Sequence, residues 1–116
     1  MIDFPALKVG LVHECSHAAI VLYLGYELDR LELKNDHNEA LDGHCYFWGD
    51  TTPAEDVLVD VAGYLGECCF SQQEPTPEGM SKSETSRNDW ERVKDYPHLE
   101  EAMAVVLDVL KDAWKR

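Results

Sequence analysis

Two histidines and a glutamate near the N-terminus have the spacing of a metal-dependent hydrolase. They lie within VHECSHAAIVLYLGY as His13-Glu14-Cys15-Ser16-His17. Residues four apart on an α-helix lie one turn above each other on the same face, so His13 and His17 can both direct a ring nitrogen at one cation. Glu14 lies about 100° around the helix from His13, where its carboxylate can reach a water molecule on the open side of the metal. We therefore predict a Zn2+ site held by His13 and His17, with Glu14 as the catalytic general base.

The surrounding sequence predicts that this segment is an α-helix with an apolar face. Residues of that face recur at helical spacing: Leu7, Leu11, Cys15, Ala18, Ala19 and Leu22. The helix is expected to run to about Leu24, with Gly25 allowing the chain to turn. Its apolar second half, AAIVLYL, is expected to lie at the centre of the domain, and Cys15 to be a small buried residue. An alternative is a metal-free structural protein in which both histidines are core residues.

Length and composition limit the classes of protein to which the chain can belong. Its 116 residues, 45% of them hydrophobic, predict a single folded domain over residues 1–116. The formal net charge of -13 and the scattered lysines and arginines disfavour nucleic acid as a partner, because its phosphates would be repelled. The longest apolar run, residues 18–26, is too short to span a bilayer, so we expect no membrane insertion. A signal-peptide pattern is absent, which predicts a cytoplasmic protein with free cysteine thiols.

Two segments after the first helix have the composition of β-strands. Residues 28–34 alternate leucines with charged residues, and residues 43–49 are rich in aromatic side chains. The turn-rich stretch between them predicts a β-hairpin with a long loop. His37 and His44 fall in this hairpin, and we interpret both as surface residues that could line a cleft.

Residues 52–71 predict a second helix. Thr52 and Glu55 can form a capping box around a proline at the first helical position. Gly63 and Gly66 would each weaken the helix by about 1 kcal/mol relative to Ala. We therefore expect another backbone to pack closely against them, and the first helix is the natural neighbour.

The remainder of the chain predicts an exposed loop and two helices. Residues 72–85 contain two prolines and one glycine and are expected to form the loop. Ser86 can cap a short helix over residues 87–94, and a long amphipathic helix begins at His98. Its apolar stripe consists of Leu99, Ala102, Met103, Val106, Val109, Leu110, Ala113 and Trp114. The whole pattern predicts an α+β, mainly helical fold with a small β-hairpin or sheet packed on the HExxH helix.

A catalytic zinc ion usually has three protein ligands, so this pattern requires one more. Two downstream carboxylates are candidates. Asp89 lies in the first turn of the predicted short helix, where it could instead interact with the helix dipole. Glu67 lies mid-helix between small residues, where it could instead form a salt bridge or a hydrogen bond to a ligating histidine. Residue types and spacing leave this choice open.

Four segments in sequence order resemble a known family. They are HECSHAA in the first helix, DGHCYFW in the hairpin, AGYLGE in the second helix and NDWERV in the short helix. Over about residues 8–95 this order resembles the peptidase domain of the FtsH family of AAA zinc metalloproteases. The motifs of that family read His-Glu-Ala-Gly-His-Ala, Gly-Gly-Arg-Ala-Ala-Glu and Ser-Asn-Asp-Leu-Glu-Arg. This chain departs from them at Ser16, at Tyr64-Leu65-Gly66 and at Arg87.

The resemblance implies a role for each candidate residue. The metal ligands would be His13, His17 and Asp89. Glu14 would act as the base, and Glu67 would support the site without being the third ligand. These roles would make the chain a zinc metalloendopeptidase.

The same resemblance implies a class of substrate. The strand over residues 43–48 would be the edge to which a peptide adds as an extra strand. The sequence contains no Gly-x-x-x-x-Gly-Lys-Ser/Thr loop, so we expect an ATP-independent reaction on peptides or unfolded protein segments. A homo-oligomer or a partner protein is also consistent with this interpretation. The alternative is a catalytically silent peptidase-like binding or regulatory module that retains the zinc-site fold.

Overall fold

The helix that carries the HExxH segment packs against both strands and two other helices. The computed structural model describes the backbone of residues 4–35 and 41–114, and the side chains of residues 8–32 and 45–113. The elements in chain order are α1 (Phe4–Tyr23), β1 (Glu27–Asn35), β2 (Leu41–Trp48), α2 (Pro53–Ser71), α3 (Pro77–Lys82), α4 (Arg87–Val93) and α5 (Leu99–Trp114). α1 contacts α2, α5, β1 and β2. The predicted mainly helical α+β fold, with a small sheet on the HExxH helix, is therefore confirmed.

α1 buries the side that carries its polar residues. The buried residues are Gly10, His13, Glu14, Ser16, His17, Ala18, Ile20 and Val21, whereas Leu11, Cys15, Leu22 and Tyr23 are exposed. The predicted core face is thus wrong for Leu11, Cys15 and Leu22, and the side chain of Leu7 lies outside the described residues. The apolar second half is correspondingly buried on one side only. The physical reason is that α1 meets α2 through its histidines, and this contact decides which side is covered.

The two strands form the predicted antiparallel pair. Leu31 is opposite Cys45, and the register shifts between Leu28 and Arg30. Gly25 has φ +89° and turns the chain from α1 into β1, as expected. His37 and the side chain of His44 lie outside the described residues.

The capping box of α2 is present. Thr52 Oγ1 accepts a hydrogen bond from Glu55 N at 3.2 Å, and Glu55 Oε1 accepts one from Thr52 N at 3.0 Å. The Tyr26 hydroxyl also donates to Glu55 Oε1, at 2.7 Å. This bond ties the turn after α1 to the start of α2.

The region between α2 and α5 differs from its prediction in two respects. Residues 72–85 contain α3, whose first turn is capped by the Thr76 hydroxyl accepting from Gly79 N at 2.9 Å. The sequence therefore supports a short helix where a loop was expected, because Pro77 suits its first position. Ser86 stands at the N-cap of α4 but makes no side-chain capping bond, and its buried hydroxyl has no hydrogen-bond partner in the described part of the chain.

The stripe of α5 packs on the core largely as predicted. Its buried residues are Leu99, Ala102, Met103, Val106 and Leu110. Val109 is partly buried and Ala113 is exposed, so the stripe ends before the last turn. The side chain of Trp114 is not described.

Two glycines of α2 allow α1 to approach closely. A Cβ added at Gly63 would lie 2.5 Å from His13 Nε2 and 2.6 Å from His17 Nε2. A Cβ added at Gly66 would overlap the Ser16 hydroxyl. Real Cβ atoms do not approach other atoms this closely, so the first helix is the close neighbour of both glycines, as predicted. The expected close backbone is wrong for Gly63, where the imidazoles fill the space, and at Gly66 the backbone oxygen of Val12 is 3.4 Å from the added Cβ, behind the side chain of Ser16.

We expect Gly66→Ala to destabilise the fold by about 1–3 kcal/mol, because its methyl group would overlap Ser16 Oγ. The double variant Ser16→Gly/Gly66→Ala removes the obstacle and should recover most of the loss. Free energies of unfolding from urea denaturation of the single and double variants measure this coupling. Ser81→Gly, on exposed α3, is the control partner and should combine additively with Gly66→Ala. Additivity of the Ser16 and Gly66 changes would contradict the contact.

Candidate metal centre

Two imidazole nitrogens and one carboxylate oxygen converge where α1, α2 and α4 meet. His13 Nε2 lies 3.0 Å from His17 Nε2 and 3.0 Å from Asp89 Oδ2, and His17 Nε2 lies 3.2 Å from Asp89 Oδ2. All three residues are buried. Ligand atoms around a tetrahedral zinc ion at 2.0–2.1 Å are separated by about 3.3 Å. The residues present therefore fit a zinc ion in both chemistry and spacing.

Each histidine is oriented through its second ring nitrogen by a group on α2. His17 Nδ1 donates to the backbone oxygen of Val59 at 2.6 Å, and His13 Nδ1 donates to Glu67 Oε2 at 2.7 Å. The two rings stand at 78° to each other with their centroids 4.7 Å apart. Hydrogen bonds of this kind fix the tautomer and direction of a metal-binding imidazole. Both Nε2 atoms are thereby directed to the same point.

Asp89 and Glu67 contact different nitrogens of His13. Asp89 lies at Nε2, on the side that His17 shares, whereas Glu67 lies at Nδ1. The Thr85 hydroxyl is 2.8 Å from both oxygens of the Glu67 carboxylate. The structure therefore brings Asp89 to the point where the histidines converge and does not bring Glu67 there.

Glu14 lies beside this point without belonging to the triangle of closest atoms. One of its carboxylate oxygens lies within 4.8 Å of a ring nitrogen of His13 and of His17, and its side chain is buried. On β2, burial raises the pKa of the Cys45 thiol to about 11, and the nearby charge of Glu14 contributes to this increase. β2 packs on α1, the helix that carries Glu14.

Asp89 has a second contact that the sequence interpretation missed. Arg92 Nη2 donates to Asp89 Oδ1, and Arg92 Nε donates to Asp60 Oδ1 at 3.2 Å. Burial raises the pKa of Asp60 to about 6, although the Arg92 guanidinium opposes this effect. The spacing of three between Asp89 and Arg92 on a helix could have indicated their pairing. Nothing local indicates the contact with Asp60, nor those of Val59 and Thr85 with the centre.

The electrostatics of the metal-free centre favour a proton on His13. Burial lowers the pKa of His13, but its hydrogen bonds with Asp89 and Glu67 outweigh this effect and raise it to about 10. Burial raises the pKa of Asp89, and hydrogen bonds from the two histidines lower it to well below its usual range. A metal ion would therefore have to displace a proton held between His13 and carboxylates.

The sequence of the chain matches a known family over more than half of its length. Residues 5–71 match the family described as Peptidase M50B-like. The chain belongs to the Peptidase M50B-like family. The matched segment includes His13, Glu14, His17 and Glu67 and ends before Asp89. No curated protein matches the chain.

Membership of the Peptidase M50B-like family confirms the metallopeptidase class of the resemblance. It does not single out the FtsH peptidase domain within that class. The described helices include no segment with both the length and the hydrophobicity of a membrane span.

The raised pKa of His13 predicts how the stability of the metal-free protein varies with pH. The ring has a pKa of about 10 in the folded chain and 6.5 as its ordinary value. Its stabilising effect is complete below pH 6.5 and is lost as the pH rises towards 10.

Urea denaturation in the presence of a chelator, from about pH 6.5 to 8, measures this effect. The free energy of unfolding should fall by up to about 1.4 kcal/mol per pH unit. The control is His13→Asn, which removes the titrating group and should flatten the profile. Equal slopes in the two proteins would contradict the assignment to His13.

Proposed function

We propose that this protein is a zinc-dependent metallopeptidase that hydrolyses peptide bonds in peptides or flexible protein segments. The observation that carries the proposal is the set of three buried ligand atoms 3.0–3.2 Å apart, with the Glu14 carboxylate beside them. Two imidazoles and one carboxylate form a donor set that zinc takes in catalytic sites. Membership of a peptidase family supports the same class of reaction.

In this proposal His13 Nε2, His17 Nε2 and Asp89 Oδ2 would hold the metal. A zinc ion bound there would lower the pKa of a water molecule and polarise the scissile carbonyl. Glu14 would accept a proton from the attacking water and would then donate it to the nitrogen of the leaving amine as the peptide C–N bond breaks. Glu67 keeps its hydrogen bond to His13 Nδ1 throughout and so maintains the direction of that ring.

The sheet offers a surface for a peptide substrate. In the described part of the chain it consists of β1 and β2 alone, so β2 has one edge without a strand partner. β2 packs on α1, the helix that carries Glu14. We propose that an extended peptide pairs with this edge, which would bring its backbone past Glu14.

Two departures from the FtsH motifs compensate each other, which supports the closer resemblance to that peptidase domain. The motifs have glycine where this chain has Ser16, and alanine where it has Gly66. Here the larger residue is on α1, and its hydroxyl occupies the space that a Cβ on α2 would need. The exchange keeps the helices close, so the packing that positions His13 and His17 is retained.

The proposal also includes the setting of the reaction. We propose an ATP-independent peptidase, since the sequence contains no phosphate-binding loop of the Gly-x-x-x-x-Gly-Lys-Ser/Thr type. The four cysteines are free thiols, as is usual in the reducing cytoplasm. A second copy of the chain or a partner protein could supply further surface for the substrate.

Removing any one of the three ligands should abolish stoichiometric zinc binding, because the remaining two bind weakly. His13→Ala, His17→Ala and Asp89→Ala test this by metal analysis after dialysis. Glu67→Gln should weaken binding by about 10–100-fold in a chelator competition, as expected for a group that orients a ligand. Asp108→Ala, an exposed carboxylate on α5, should bind like the parent protein.

Two results would contradict this arrangement. Loss of zinc in Glu67→Gln with retention in Asp89→Ala would exchange the roles of the two carboxylates. A parent protein that binds no zinc would favour the metal-free structural alternative.

Glu14→Gln should retain zinc but reduce hydrolysis of casein by at least about 100-fold, because the side chain can no longer accept the proton. Glu91→Gln makes the same change at an exposed site on α4 and should cleave like the parent. Equal cleavage by Glu14→Gln and the parent would remove Glu14 from the mechanism. A zinc-bound parent that cleaves nothing would favour the silent binding module.

A further inference from the structure

The two oxygens of Asp89 are divided between the metal centre and an arginine. Oδ2 faces His13 Nε2 and His17 Nε2 at 3.0 and 3.2 Å. Oδ1 accepts a hydrogen bond from Arg92 Nη2. The carboxylate therefore presents a single oxygen to the point where the imidazoles converge.

We propose that Arg92, held in place by Asp60, is a positioning residue that fixes Asp89 as a ligand through one oxygen. This inference rests on the proposed metal site. The guanidinium is planar and carries its donors in a fixed fork, so a bond to Oδ1 resists rotation of the carboxylate. Rotation would bring both oxygens towards the metal or move Oδ2 away from the histidines.

Asp60 is needed to hold the guanidinium in one position, because the Arg92 side chain is 54% exposed. A long exposed side chain paired with one carboxylate gains little, since holding it in one geometry costs conformational entropy. The Asp60 side chain is only 17% exposed and accepts from Arg92 Nε at 3.2 Å, so it anchors the guanidinium at a second point. Arg92 thereby connects α4 to α2.

Through this connection, all three proposed ligands are oriented by groups on the same helix, α2. The carbonyl of Val59 on α2 orients His17, and Glu67 on α2 orients His13. Asp60, adjacent to Val59 in sequence, orients Asp89 through Arg92. A shift of α4 relative to α2 would otherwise change the distance from Asp89 to both histidines. The ion pairs with Arg92 oppose such a shift.

The test compares Arg92→Gln with Lys94→Gln. Both substitutions remove one positive charge at the C-terminal end of α4. Lys94 pairs with Glu91 at 2.7 Å and makes no contact with Asp89 in the described structure. In a chelator competition, Arg92→Gln should bind zinc about 10–100-fold more weakly than the parent protein. Lys94→Gln should match the parent. Arg92→Lys keeps the charge without the fork and should recover only part of the affinity.

A spectroscopic readout separates positioning from general stability. The visible absorption of bound Co2+ reports the geometry of its ligands, and it should change in Arg92→Gln and in Asp60→Asn but not in Lys94→Gln. Asp60→Asn leaves Arg92 in place, so it also tests the link if Arg92→Gln does not fold. Because Asp60 acts through Arg92, the double variant should bind zinc no more weakly than Arg92→Gln alone.

Three results would overturn the inference. One is a parent-like zinc affinity and Co2+ spectrum in Arg92→Gln, with only a lower free energy of unfolding in chelator, which would leave Arg92 a purely structural role. Another is strict additivity of the Asp60 and Arg92 changes in zinc affinity. A parent protein that binds neither metal would overturn the proposed function and this inference together, whereas the first two results leave the proposed function intact.

Discussion

The close contact of α1 with α2 at Gly63 is the constraint on which the centre depends. The rings of His13 and His17 occupy the space that any side chain at position 63 would take. With the rings against its backbone, α2 can reach them from both sides, through the Val59 carbonyl and the Glu67 carboxylate. Val59, Gly63 and Glu67 are four residues apart and so lie along one stripe of the helix. One helix surface thus provides the space for the imidazoles and the bonds that direct them.

This arrangement places several ionisable groups in the interior, where an unpaired charge is costly. The histidine nitrogens and the Asp89 oxygens each have a partner within hydrogen-bond distance, which reduces that cost. The apolar core lies to one side, where α2 and α5 pack together. Its fully buried members include Ile20, Val21, Val61, Leu65, Val106 and Leu110. The second half of α1 therefore contributes Ile20 and Val21 to the apolar core together with α2 and α5, whereas its HExxH segment meets α2 through polar groups.

The sequence predicted those features that depend on the spacing or the type of neighbouring residues. The HExxH helix, the capping box at Thr52 and the close approach at Gly63 and Gly66 all follow from spacing or residue type. The exposed side of α1 could not be predicted in this way, because apolar periodicity does not reveal that histidines face the neighbouring helix. α3 was missed because a polar stretch with two prolines is typical of loops, although Thr76 and Pro77 together begin a helix.

The candidate metal centre, too, could be predicted only in the part that local sequence signals determine. His13, Glu14 and His17 are recognisable as a motif, but the choice between Asp89 and Glu67 depends on which nitrogen of His13 each one meets. Contacts between residues far apart in sequence determine this, as they do for Arg92 and Asp60. The family resemblance implied Asp89 where residue types alone could not. The matched segment of the Peptidase M50B-like family ends before it.

Asp89 is 76 residues from His13 in sequence, although their side chains are 3.0 Å apart. A metal ion bound by both residues would act as a cross-link that closes a loop over most of the chain. Such a cross-link lowers the entropy of the unfolded chain, and its effect increases with the logarithm of the loop length. Metal supply would then control the lifetime of the protein against cellular degradation as well as its chemistry, because the unfolded population falls when an ion binds only the native form.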